Sequence, residues 1–174
     1  MGKGVTVLGL LQSILKVNLE TRDFLKSRFP HELVLKPGVV STGDQLIDNG
    51  DGTVTDPVAK LMWVKRPHTD LPVQFRNRMN LTARREACAG LNFAKHKDWR
   101  QPTRKELLTR SDITRFNPAV NTDMFPDIKP EWYGTSDTYA GDKSYCWCVS
   151  FYAGIVDDHD EGNDYYVWPV RSSQ

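Results

Sequence analysis

Asp98-Trp99-Arg100-Gln101-Pro102-Thr103-Arg104-Lys105-Glu106-Leu107-Leu108 joins a large aromatic side chain to a helix start within eleven residues. Thr103 suits the N-cap. Its hydroxyl accepts from the Glu106 amide while the Glu106 carboxylate accepts from the Thr103 amide, so two otherwise orphaned donors are satisfied reciprocally. Pro102 disfavours helix in the residue before it, and Trp99 is large enough to hold the preceding turn in a core. A helix over about Arg104 to Ser111 follows. Upstream, Thr82 is placed to cap a second helix, Ala83 to Asn92, with Ala87, Cys88 and Leu91 facing inward. Before that, Asn-Gly and Asp-Gly between the β-formers of Ile47 to Val54 predict a tight hairpin, and Leu61 to Val64 reads as a short buried strand. Downstream, short β segments are predicted at Trp132 to Thr135, Ser144 to Phe151, Gly154 to Val156 and Tyr165 to Val170. Two helices followed by several short strands make an α+β domain instead of an alternating parallel one.

The run DWRQPTRKELL, with FNPAVNTDMFP (116–126) and WYGTSDTYAG (132–141), resembles the Lcl C-terminal domain family, found at the C-terminus of a bacterial collagen-like adhesin. The resemblance implies a C-type-lectin-like fold over residues 45–174, with the 47–54 hairpin and Leu61 to Val64 in the opening sheet. On Ser144 to Phe151 the two-residue side-chain period separates Trp147, Val149 and Phe151 from Cys146, Cys148, Ser150 and Tyr152. The comparable family segment reads AWxVxF, which implies that the tryptophan set faces the core and the cysteine set faces out. The resemblance also implies that the C-terminal part is a ligand face, varied in some relatives by diversity-generating retroelements. Tyr139, Tyr145, Tyr152, Tyr165 and His159 alternate there with Ser144, Ser150, Asp157, Asp160 and Asn163, a mixture suited to rigid yet adaptable contact. Cys148 and Ile155 complete the candidate face, with the polar loop Asp157 to Asp164 beside it. A non-enzymatic module binding a protein or glycan ligand is the expectation.

Charge is unevenly distributed. Residues 60–115 carry 14 Lys plus Arg against 5 Asp plus Glu, and residues 116–174 carry 3 against 10, although the whole chain is only +1. Such a balance does not describe a dedicated nucleic-acid binder. The basic segment, with Arg76, Arg78, Arg84, Arg85, Lys95, Lys97 and Lys105, offers a second reading. The adhesin that gives the family its name binds sulfated glycosaminoglycans, which implies sulfate oxygens as partners for this cluster. A solvated helix face is the alternative.

Three cysteines form neither a disulfide framework nor a zinc spacing, and no cofactor or metal site is expected. Family members often pair a helix cysteine with one in a VRCVR segment; here that segment is Val167-Trp168-Pro169-Val170-Arg171, and Pro169 removes the partner. The loop at Asp48 to Gly52 fails the calcium-loop rule because Gly50 and Gly52 stand where ligands are needed, and Asp157 to Asp164 lacks the signatures of sugar-chelating lectins. His31, His68, His96 and His159 are dispersed and read as surface or loop residues, with no nucleophile elbow beside them. A cysteine oxidase using Cys146 and Cys148 is the enzymatic rival.

At the N-terminus, Val5 to about Arg28 reads as an amphipathic helix with Leu8, Leu11, Leu15, Leu19 and Leu25 toward a neighbour. Residues 1–29 therefore form a packing or oligomerisation helix, and 30–44 a Pro/Gly-rich connector. Homo-oligomerisation, docking into a larger assembly and contact with a membrane surface all remain open for it. Val5 to Val17 has one preceding Lys, interrupting polar residues and no small-x-small site, so the expectation is a cytoplasmic or phage- or assembly-associated protein, not classical secretion.

Overall fold

The computed structural model describes residues 46–173; the expected N-terminal helix and connector lie outside them. Two antiparallel sheets and two short α-helices are built from this stretch, an α+β domain. The first sheet has the order β1-β2-β3-β7, formed by Ile47–Asp48, Thr53–Asp56, Leu61–Val64 and Val170–Ser172. The second is the meander β4-β5-β6, formed by Trp132–Thr138, Tyr145–Ser150 and Ile155–Asp160.

The predicted hairpin is present because its turn satisfies itself. Gly50 and Gly52 adopt φ of 75° and 89°, Asp48 accepts from the Gly50 amide, and Asp51 accepts from both the amide and hydroxyl of Thr53. The acids of this loop are thus engaged in shaping a turn.

Helix α1 spans Leu81–Ala89, and its cap is Asn80, whose Oδ1 accepts from the Ala83 amide at 2.9 Å. Thr82 is exposed inside the first turn and does not cap. The helix ends at Ala89, three residues before the predicted Asn92, with Gly90 as its C-cap and Leu91 buried just beyond.

Helix α2, Arg104–Leu108, starts on the predicted capping box, with Thr103 Oγ1 accepting from Glu106 N at 3.2 Å and Glu106 Oε2 accepting from Thr103 N at 2.9 Å. It stops short of Ser111. Arg100 grips the same carboxylate at 2.6 and 2.7 Å, and Asp137 of β4 accepts from the Arg104 amide at 2.8 Å. Trp99 is buried as expected and donates to the Phe93 carbonyl at 3.1 Å.

The main core lies between the sheets, where Trp63 and Trp168 meet at 5.1 Å among Val54, Leu107, Phe125, Tyr133, Val149 and Phe151. A second cluster gathers Val64, Phe75, Cys88, Leu91 and Trp99. Strand β7 pairs with β3 in the register Leu61↔Ser172 and Trp63↔Val170, and Val170 also bridges Arg100. The predicted Tyr165 to Val170 strand resolves into single bridges, Met79↔Tyr165 and Tyr133↔Tyr166, before β7 begins.

His68 is buried, not a surface or loop residue. Its Nδ1 donates to the Phe75 carbonyl at 2.9 Å, so in the neutral ring Nε2 accepts from the Tyr133 hydroxyl at 2.7 Å. Burial holds its pKa down to about 4, which keeps this neutral form at physiological pH.

Candidate functional site

The β5–β6 register distributes the sequence-predicted ligand residues over two faces. Cross-strand partners share a face, so Cys146↔His159, Cys148↔Asp157 and Ser150↔Ile155 lie on one side, while Tyr145↔Asp160 and Trp147↔Asp158 lie on the other. Tyr139 belongs with the second group, its ring meeting Trp147 at 5.4 Å. Arg104 covers Trp147 at 4.2 Å, so that tryptophan is half-buried under a guanidinium and not sealed in the core with Val149 and Phe151.

The outward placement of Cys148 and Ser150 is corrected. Both are buried, as is Cys146: α1 packs onto the two cysteines with Leu81 and Arg84, and Ser150 lies between its strand partners Trp132 and Ile155, its hydroxyl accepting from the Tyr152 amide at 3.3 Å. Arg84, expected in a basic surface, is 0% exposed. Its Nη1 donates to the Met79 carbonyl at 2.5 Å, its Nη2 approaches Cys146 Sγ at 3.6 Å, and the guanidinium lies 5.6 Å from the Tyr165 ring. Gly134 makes room for it: a Cβ there would fall 2.5 Å from Arg84 Nε. Hydrogen bonding from Cys148, with Arg84 nearby, lowers the Cys146 pKa, while the same bond and burial raise that of Cys148. All three thiols are free and buried.

Around this buried centre, Trp132, His159 and Tyr165 form a partly exposed collar, with His159 4.6 Å from Trp132 and 5.4 Å from Tyr165. Ser144, Asp157, Asp160 and Asn163 are exposed, but Ser144 donates to Asp142 and Asp160 accepts from Gly162, so both shape turns. The predicted loop Asp157 to Asp164 is strand as far as Asp160.

Among the described residues, four exposed apolar side chains gather around the β5–β6 turn. Ile113 is 83% exposed, Phe116 63%, Ile155 53% and Tyr152 48%. Phe116 packs edge-on to Tyr152 at 4.5 Å, the Asn117 amide donates to the Tyr152 carbonyl, and Gly154 of the turn lies against Ser111 and Ile113. Tyr152 and Ile155 were anticipated from sequence; Ile113 and Phe116 were missed. Only the family-like FNPAV string pointed near them, and it carried no orientation.

The basic residues do not form one free cluster. Arg84 is buried, Arg78 pairs with Glu131 at 2.8 Å, and Arg85 donates to the Ser136 carbonyl at 3.2 Å. Among the described residues, no three His, Cys, Asp or Glu side chains are grouped to hold a metal ion, and no helix is long and apolar enough to cross a membrane.

A search of curated proteins finds no match to the chain. The family model of the Lcl C-terminal domain matches residues 52–171, from the hairpin glycine to the strand that closes the first sheet, and the chain belongs to that family.

Proposed function

We propose that residues 45–174 form a C-type-lectin-like recognition module that holds a protein or glycan ligand without transforming it. Two helices set against a short meander, with the chain end returning to the opening sheet, support the lectin-like reading. The observation that carries the recognition reading is the exposed group Ile113, Phe116, Tyr152 and Ile155 on a turn braced by backbone hydrogen bonds. Large side chains fixed in place contribute contact area with little entropy left to lose on binding. The buried thiols and the doubly bonded His68 leave those groups without access to a substrate.

A Phe116→Ala/Tyr152→Ala chain tests the reading. Both residues are exposed, so its unfolding midpoint should stay close to that of the wild type. Wild type and variant are compared on a glycan array and as baits in native extract, and a ligand held by the wild type should be weakened at least about tenfold. Equal retention by the folded variant overturns this surface.

A further inference from the structure

The strand beside the apolar patch, β6, is an outer strand of its sheet, and its chemistry is one-sided. Residues 144–170 contain Asp157, Asp158, Asp160, Glu161 and Asp164 but no Lys or Arg. None of these acids is in an ion pair among the described residues. Among the described residues, strand β6 pairs only with β5. The Glu161 amide donates to the Ser144 carbonyl, so antiparallel alternation directs the backbone groups of Ile155, Asp157 and His159 toward β5 and those of Val156, Asp158 and Asp160 off the sheet. Two of these outward groups are already occupied: the Asp157 carboxylate accepts from the Asp158 amide at 2.9 Å, and the Asp160 carbonyl accepts from the Asn163 amide at 3.1 Å. The amides of Val156 and Asp160 and the carbonyls of Val156 and Asp158 remain directed outward.

We infer that β6 and the adjoining Ile113, Phe116, Tyr152 and Ile155 form one docking surface for an extended protein segment carrying Lys or Arg along its length and an apolar side chain at one end. This rests on the recognition reading above and names the partner class for that site. Backbone groups along an open edge are matched by another backbone, which a sulfated glycan does not have. The unpaired carboxylates favour cations and repel sulfate. A second copy of β6 is disfavoured by the same charges, since edge-to-edge pairing would bring Asp157, Asp158 and Asp160 of two chains together. The apolar patch fixes the end of the segment.

The full chain is titrated, by fluorescence anisotropy, with a labelled peptide that alternates Lys and Val and ends in Phe, with the same peptide carrying Glu for Lys, and with heparin. The Lys peptide should bind, more weakly as salt rises, and should slow exchange of the Val156 and Asp160 amides. Asp157→Asn/Asp158→Asn/Asp160→Asn and Phe116→Ala/Tyr152→Ala should each weaken it at least about tenfold. No binding of the Lys peptide, or equal binding by the folded triple variant, overturns the inference and leaves the acids as protection of a sheet edge. If heparin or the Glu peptide binds instead, and Phe116→Ala/Tyr152→Ala abolishes it, the recognition surface stands and this partner class falls.

Discussion

Glu106 ties together three parts of the chain through one carboxylate. It closes the α2 cap on Thr103 and holds Arg100 from the strand-like segment that bridges Val170. Burial opposes its ionisation, but the hydrogen bonds from Arg100 and Thr103 outweigh this, so its pKa lies below the ordinary 4.5. With a depressed folded-state value, this stabilisation is complete above pH 4.5 and is lost as pH falls through the folded pKa. Glu106→Gln should cost about 1–3 kcal/mol at neutral pH, a range that already discounts the half-exposed Arg100, and urea titrations should show the gap from wild type closing in acid. A constant gap would mean that the charge is not what matters. His68 works in the same direction at higher pH. Its ring pKa is about 4 when folded against 6.5 when free, so the unfolded chain takes up a proton first and stability declines from pH 6.5 toward 4. The loss from this residue should approach about 3 kcal/mol. A ring resonance titrating near 6.5 in the folded protein would contradict it.

At the scale of elements, β5 is covered on both faces from Cys148 to its end, while Tyr145 is exposed and Trp147 half-buried. Val149 and Phe151 meet the main core, and Cys146 and Cys148 meet Leu81 and Arg84 of α1. Burial also pushes the Cys88 thiol, on α1 itself, up to about 12. Thiol reagents act on accessible thiolates, so all three cysteines should resist labelling in the native protein and react together as it unfolds in denaturant. Arg84→Ala removes the side chain packed between Cys146 and Tyr165, and Cys146 should then label first. Rapid labelling of Cys146 in the wild type would show that α1 does not close this face.

For the molecule as a whole, closure depends on its last residues. Strand β7 supplies the outer partner of β3, buries Val170 in the main core and places Arg171 against Asp98 at 2.8 Å. Deletion after Pro169 would expose the β3 edge, remove a core side chain and break the Arg100 bridge in one step. Such a chain should lose its cooperative unfolding transition and elute as an expanded species, read by circular dichroism and size exclusion. An unchanged midpoint would show that the first sheet holds without its final strand.

The capping box, the hairpin and the buried Trp99 were legible in the sequence because each is a local bargain among residues a few positions apart. The two-residue period of β5 was equally legible, as was its division into a cysteine set and a tryptophan set. Which set would meet solvent was not, because both are apolar enough to bury and the answer depends on where α1 lands. Asn80 displaced Thr82 as the cap in that same helix, bringing Leu81 and Arg84 onto β5. The exposed group at the β5–β6 turn likewise needed tertiary structure: Phe116 and Tyr152 are distant in sequence and meet only through the backbone pairing of their loops. Sequence determined the hairpin turn, the α2 capping box and the side-chain periods, while long-range packing decided which of the resulting faces were covered and which were left open.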